Sequence, residues 1–286
     1  MNTFFKDLSN MEGPYLIGEI GINHNGDIDI AKKLIDATNA CGWHCAKFQK
    51  RNPDICVPEH QKNIERETPW GRMTYIDYKH KIEFEKEEYD IINSYAANKP
   101  INWTVSVWDL DSLNFIKDYD VPFIKIPSAH ITNNELLLEA AKSNIPIIIS
   151  TGMSNWKMID DAVKIIDKYT DQFAILHCNS TYPAPYSELN LNVIPTMKNR
   201  YGCIVGYSGH EFNLEPSVIA VTLGAVIIER HITLDHDMWG TDQSSSLEVH
   251  AMDILRKRLQ DVNKILGINE KFITESEKPI MKKLRG

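Results

Sequence analysis

The sequence predicts an α/β fold, a (βα)8 TIM barrel, and three observations carry that expectation. Short β-rich runs alternate with longer helical patterns eight times along the chain, which implies a parallel sheet that closes on itself. Polar, chemically capable residues gather at the C-terminal ends of most of those runs. No G-x-G-x-x-G follows the first run, where GEIGINHNG has the wrong spacing and too much polar bulk. That disfavours the competing fold, a doubly wound open sheet.

In chain order, the strand candidates are 15–21, 44–49, 102–108, 123–128, 146–151, 173–180, 203–210 and 225–233. Helical patterns lie between them. The stretch 28–42 repeats apolar residues at Ile30, Leu34, Ala37 and Cys41 and stops at Gly42. The stretches 133–144 and 155–169 read the same way, and a final helix runs from about Leu247 to Leu266 and ends at Gly267. One connection is long: residues 50–84 leave the C-terminal side of the second strand, where a barrel keeps its chemistry, and so read as a lid or binding loop. The tail 268–286 is polar and ends in basic residues. The expectation is one barrel domain over 1–286, with that loop and that tail.

Composition narrows the function. The chain has 286 residues, 43% hydrophobic, enough for one large core. Its net charge of −8 is interspersed rather than blocked, so no basic stripe is available to nucleic acid. A small anionic ligand stays possible, because a few lysines reverse a local field. The five cysteines form an odd set without zinc spacing and read as reduced thiols of a cytoplasmic protein. MNTFFKDLSN is no signal peptide, and no apolar run is long enough to span a bilayer. A soluble, cytoplasmic protein with no membrane partner is expected.

Strand ends then supply candidate residues. Glu19 ends the first strand, followed by Asn23 and His24; Lys47 and Gln49 end the second; Lys125 and Ser128 the fourth; Ser150 and Thr151 the fifth. Asn179, Thr181 and Tyr182 follow the sixth, Ser208 and His210 end the seventh, and Glu229 and His231 end the eighth. Lys47/Gln49, Ser208/His210 and Glu229/His231 are each two apart, so each pair shares one face of its strand. Arg230 should face outward and pair near the barrel rim.

His210 and His231, with Glu229 and Asp242 nearby, read either as two structural histidines or as a divalent metal site that keeps open positions. Lys47 and Lys125 with Ser150 and Ser208 read as an anion site, with a core ion pair or a Schiff-base lysine as rivals. Glu19 is either an ion-pair partner for a lysine or a general acid/base.

The motifs YLIGEIGINHNGDIDIAKKLIDAT, AKFQK, IPIIISTGMSN, HCNSTYPAP, GYSGH, GAVIIERHITLD and MWGTDQSSSLE together resemble the sialic acid synthase family over about residues 14–265. The resemblance implies condensation of phosphoenolpyruvate with an open-chain acylamino aldose to a nonulosonic acid, phosphate leaving by C–O cleavage. It places Glu19 near the reacting carbons, and Lys47, Lys125, Ser150, Asn179 and Ser208 on phosphoenolpyruvate. It sets Tyr182 and Asp242 near the acceptor. It makes His210 and His231 ligands of a manganese or magnesium ion, with Glu229 beside it, and it implies a homodimer.

Two departures bear on the acceptor. The family's C-terminal antifreeze-like domain is not expected before Gly286, and His130 stands where relatives usually carry an acidic residue. An acceptor without the usual N-acetyl group is therefore expected, with the 50–84 loop replacing the cap. The alternatives are a 3-deoxy-octulosonate-type synthase, using Arg51, Arg66 and Arg72 for a terminal phosphate, and a non-catalytic sugar-binding barrel.

Overall fold

The computed structural model describes residues 4–8 and 10–286. Eight parallel strands form the barrel: β1 (Tyr15–Gly21), β2 (Cys45–Lys50), β3 (Asn102–Val107), β4 (Ile124–Ile126), β5 (Ile147–Ser150), β6 (Phe173–Cys178), β7 (Ile204–Gly209) and β8 (Ile227–Thr233). They neighbour one another in chain order, and β8 pairs with β1 to close the ring. Each lies within two residues of the run read from sequence. A helix follows each strand, beginning with Ile28–Ala40, where Asp27 caps the N-terminus by accepting from the amides of Asp29 and Ile30.

The last barrel helix starts at Val249 rather than Leu247, because Leu247–Glu248 adds a short parallel strand to Ile232–Thr233. Three further elements lack a sequence signal. Phe4–Leu8 forms a short N-terminal helix. The long connection after β2 is folded rather than open, with helices Pro53–Cys56, Glu59–Lys62 and Tyr75–Ile82 around a hairpin of Glu65–Thr68 and Gly71–Thr74. The tail carries the helix Glu277–Arg285. Among the described residues, no helix is long and apolar enough to cross a membrane.

Strand alternation sorts the core into two shells. Outward side chains such as Leu16, Ile20, Phe48, Val105 and Ile149 pack under the helices. Inward ones at the N-terminal end, including Tyr15, Ile17, Cys45, Phe123, Ile148, Leu176 and Ile227, fill the lumen, and Phe4, Phe5 and Leu8 close it from below. One layer higher the inward positions turn polar.

Arg230 faces outward and pairs, as expected, and it is fully buried. It pairs with Glu211 at 3.0 Å and donates to the Asn213 carbonyl and Ser217 Oγ, so its charge is matched under the helix Glu215–Thr222.

Candidate active site

Strand register sets the polar layer. Glu19 is in register with Lys47 on one side and with His231 on the other, and Ser106 with Lys125. Ser208 is in register with both Glu229 and Cys178. Side chains at equal register on parallel strands face the same way, so these groups meet in the lumen. They line a cavity of about 220 Å³ together with Gln49, Trp108, Ser128, Ser150, Ser180, Tyr182 and His210. Gly21 ends β1 with φ +56°, and a Cβ there would lie 3.1 Å from Gln49 Nε2 and 3.3 Å from Glu19 Oε1. The tight turn and the crowding both call for glycine.

Four charges meet at the cavity floor. Lys125 Nζ donates to both carboxylate oxygens of Glu229 at 2.9 Å, reaching across from β4 to β8. Lys47 Nζ forms an ion pair with Glu19, stands 3.7 Å from Glu229 and donates to Ser106 Oγ at 2.7 Å. Ser208 Oγ donates to Glu229 at 3.0 Å, and Gln49 Nε2 to Glu19 at 3.0 Å.

The two carboxylates are driven apart electrostatically. Burial opposes ionisation of both. At Glu229 the ammonium groups of Lys125 and Lys47 overcome it and hold the pKa down to about 2. At Glu19 burial, reinforced by the Glu229 charge, prevails over Lys47 and raises the pKa. Glu229 is a fixed anion, and Glu19 is the group ready to exchange a proton. Burial also lowers Lys125, while at Lys47 the two carboxylates outweigh burial and raise it.

The upper wall holds the imidazoles. His210 Nδ1 lies 2.5 Å from the Asn179 carbonyl and donates to it; in the neutral ring Nε2 is then an acceptor, 2.8 Å from the Tyr182 hydroxyl. His231 Nε2 lies 3.3 Å from that same hydroxyl, and burial first, then His210 and Lys47, hold this ring down to about 3 and neutral. Two Nε2 atoms thus converge on one point, the donor chemistry a divalent ion takes from imidazole. Among the described residues no third His, Cys, Asp or Glu completes a preformed cluster. The two histidines therefore fit an ion that takes its remaining ligands from water or substrate. Ser150 Oγ is buried and has no hydrogen-bond partner among the described residues, an orphan donor aimed into the same cavity.

Comparison with known proteins assigns the family. The NeuB family model matches residues 34–271. The N-acetylneuraminate-9-phosphate synthase of Mus musculus is 36% identical over 275 residues, covering 94% of this chain and 76% of its own. The chain belongs to the NeuB family.

A second relative of this NeuB-family chain, the N,N'-diacetyllegionaminic acid synthase of Campylobacter jejuni, is 33% identical and covers 93% of this chain and 81% of its own. Among solved structures, the N-acetylneuraminic acid synthetase of Leptospira borgpetersenii, crystallised in complex with citrate, superposes with a TM-score of 0.84 at 31% identity. It covers 96% of this chain and 93% of its own.

Three residues assigned to substrate lie elsewhere in this NeuB barrel. Asn23 is buried behind the site and ties two loops together, its amide donating to the Ile232 carbonyl and to Ser246 Oγ. Asn179 lines a neighbouring depression, between the helices Trp156–Asp167 and Val193–Tyr201, and its side chain accepts from the Thr181 amide. Asp242 stands outside the cavity, 3.9 Å from His231 Nδ1. His130 packs edge-on against Trp108.

Ser128 lines the cavity and accepts from the Gly152 amide at 3.0 Å, so that amide is already engaged rather than open to an anion. Sequence reading passed over Ser106 and Trp108, although Ser106 has the inward parity of β3. It also left unpaired a charge the structure satisfies: Arg51 donates to Glu83 at 3.1 Å and to Gln49 at 2.6 Å.

Proposed function

We propose that this barrel condenses phosphoenolpyruvate with an open-chain acylamino hexose, giving a nonulosonic acid and inorganic phosphate. The observation that carries the reading is the cavity floor, where two buried ammonium groups and an orphan serine hydroxyl face a space otherwise held by carboxylates. The names of the relatives point to the same chemistry.

Lys47, Lys125, Ser150 and Ser208 hold the anionic groups of phosphoenolpyruvate by charge-assisted hydrogen bonds. Carbon 3 then bonds to the aldehyde carbon of the acceptor, and the aldehyde oxygen takes up the proton that the water attacking carbon 2 gives to Glu19. Water adds at carbon 2, Glu19 removes its proton, and the carbon 2–oxygen bond to phosphate breaks. Glu229 keeps both lysines oriented. The same lysines stabilise charge as it develops on the tetrahedral centre. A divalent ion, manganese or magnesium, held by Nε2 of His210 and His231, would supply Lewis-acid polarisation of the acceptor aldehyde. Tyr182 moves its hydroxyl from between the two rings to the acceptor. A cytoplasmic homodimer completes the proposal.

The test is phosphate release from phosphoenolpyruvate with added manganese, across N-acetylmannosamine, 2,4-diacetamido trideoxy hexoses, mannose and arabinose 5-phosphate. Release with an N-acylated hexose, abolished by EDTA, is the expected result. Release with mannose in preference to N-acetylmannosamine would restore the expectation of an acceptor without the N-acetyl group. Release with arabinose 5-phosphate alone would favour the octulosonate-type reading, which is weakened here because Glu83 engages Arg51 and Glu65 pairs with exposed Arg72 at 2.8 Å. Silence from a folded, metal-loaded protein would leave a barrel that only binds.

A further inference from the structure

The guanidinium of Arg51 is enclosed at the root of the insertion after β2 and has no step in the reaction above. Lys50 and Arg51 open that connection, and Glu83 and Phe84 close it. The Arg51 backbone amide donates to Glu83 Oε1 at 2.8 Å and its Nε to Oε2 at 3.1 Å, while Lys50 Nζ donates to the Phe84 carbonyl at 2.7 Å. Both side chains of the Arg51–Glu83 pair are more than nine-tenths buried, so neither charge is cheap to leave alone. The pair clasps the two ends of the insertion together and leaves one edge of the guanidinium over. That guanidinium lies on the Trp108 ring, 5.0 Å from its centroid, and Nη2 donates to Gln49 Oε1 at 2.6 Å.

That edge decides which way Gln49 faces. A guanidinium only donates, so the Gln49 amide turns its oxygen to Arg51. Nε2 then points the other way, where Glu19 Oε1 accepts from it at 3.0 Å. Turned over, the amide would set its oxygen against the Glu19 carboxylate and its NH2 against Nη2, acceptor on acceptor and donor on donor. The Tyr89 hydroxyl donates to the Gln49 backbone carbonyl at 3.0 Å and so fixes the main chain without touching the amide. Gln49 lines the active-site cavity, whereas Arg51 lines a separate surface depression of about 350 Å³.

We propose that Arg51 is a positioning residue for the condensation. It holds the Gln49 amide with Nε2 towards Glu19, and that amide holds the carboxylate that takes the proton of the attacking water. The inference rests on the synthase reading above and goes beyond it, adding a residue outside the cavity on which the base depends. The insertion then serves the chemistry through its two ends: Glu83 seats Arg51, Arg51 seats Gln49, and Gln49 seats Glu19.

The experiment measures phosphate release from phosphoenolpyruvate with manganese, using the aldose of the panel above that the wild type turns over fastest, for R51M, Q49M and R51M/Q49M. R51M should lower kcat by about tenfold to a hundredfold. It should leave KM for phosphoenolpyruvate within about threefold, because the lysines that hold it are untouched. Q49M should lose at least as much, and the double variant no more than Q49M alone, since Arg51 then has no amide to orient. A role in folding alone would make the two losses multiply. If R51M fails to fold with Glu83 left unmatched, R51M/E83Q removes both charges and should show the same loss. Methylguanidinium, entering by the surface depression, should restore part of kcat to R51A and none to R51A/Q49M. Losses that multiply, equal rescue in both backgrounds, or a folded R51M with kcat intact overturn the inference and leave the synthase reading standing. Silence from the wild type with every aldose overturns both.

Discussion

The two ends of the barrel lumen are built from the same strands with the same inward parity, yet they obey opposite rules. At the N-terminal end Phe4 packs on Phe123 and Tyr15, and the cluster among the described residues is apolar. One layer up, two residues further along β1, β2, β4 and β8, stand Glu19, Lys47, Lys125 and Glu229, all nearly water-free. The lower layer follows the ordinary logic of burial. The upper layer is held against it, because four desolvated charges repay their desolvation only through near-perfect mutual pairing. The difference separates stability from chemistry along a single axis.

The sharpest way to break that contrast is to make the upper layer apolar. Replacing Glu19, Lys47, Lys125 and Glu229 together by leucine or methionine should abolish phosphate release. It should also raise unfolding stability, by about 1–4 kcal/mol. A loss of stability in urea unfolding would mean that the quartet is structural after all.

Single isosteres sharpen it further. E19Q should lower kcat by roughly 10²–10⁴ and remove the acidic limb of the kcat/KM profile. That limb lies above the ordinary carboxylate range, because Glu19 must lose its proton to act as base and its pKa is raised. E229Q should lower activity while keeping the limb. Matching pH profiles for the two variants would erase the distinction between proton carrier and fixed anion.

The lower layer should answer in the other currency. F123A should cost about 3–5 kcal/mol of stability and leave kcat within about twofold at a temperature where the protein is folded. A thousandfold loss of turnover would show the plug to be part of the site.

A further effect, spread over the acid range, concerns His24, a buried ring at the polar end whose Nδ1 accepts from the Gly26 amide at 3.1 Å. Its ring stacks on Phe84 at 3.9 Å, and burial, aided by Arg51, pushes its pKa down to about 3. Below pH 6.5 the unfolded imidazole gains a proton that the folded one refuses. Its contribution is therefore intact above that pH and is lost as pH falls towards 3, by up to about 1.4 kcal/mol per pH unit. H24F should flatten the acid side of the stability profile by that amount; an unchanged slope would place the titrating group elsewhere.

Legibility in the sequence followed periodicity. Strand residues come with a two-residue rule that fixes which way they face, so Glu19, Lys47, Lys125, Ser208, Glu229 and His231 could be brought to one lumen before any coordinates. Asn23, Asn179 and Asp242 lie in loops, where no period says which way a side chain turns, and the structure sets all three outside the cavity. Phe4–Leu8 is too short to show a helical repeat, and its role depends on distant partners such as Phe123 and Ile148. The insertion after β2 was visible as excess length, but its hairpin and aromatic contacts are tertiary.

The floor quartet also makes the site a proton counter. Empty, it holds two ammonium groups against two carboxylates and is close to neutral. An incoming polyanion engages the ammonium groups and leaves both carboxylates less shielded, so the pKa of Glu19, already raised, rises further. Ligand binding and proton uptake then form one linked equilibrium. Apparent affinity for phosphoenolpyruvate falls as pH rises, and the heat of binding depends on the buffer that supplies the proton.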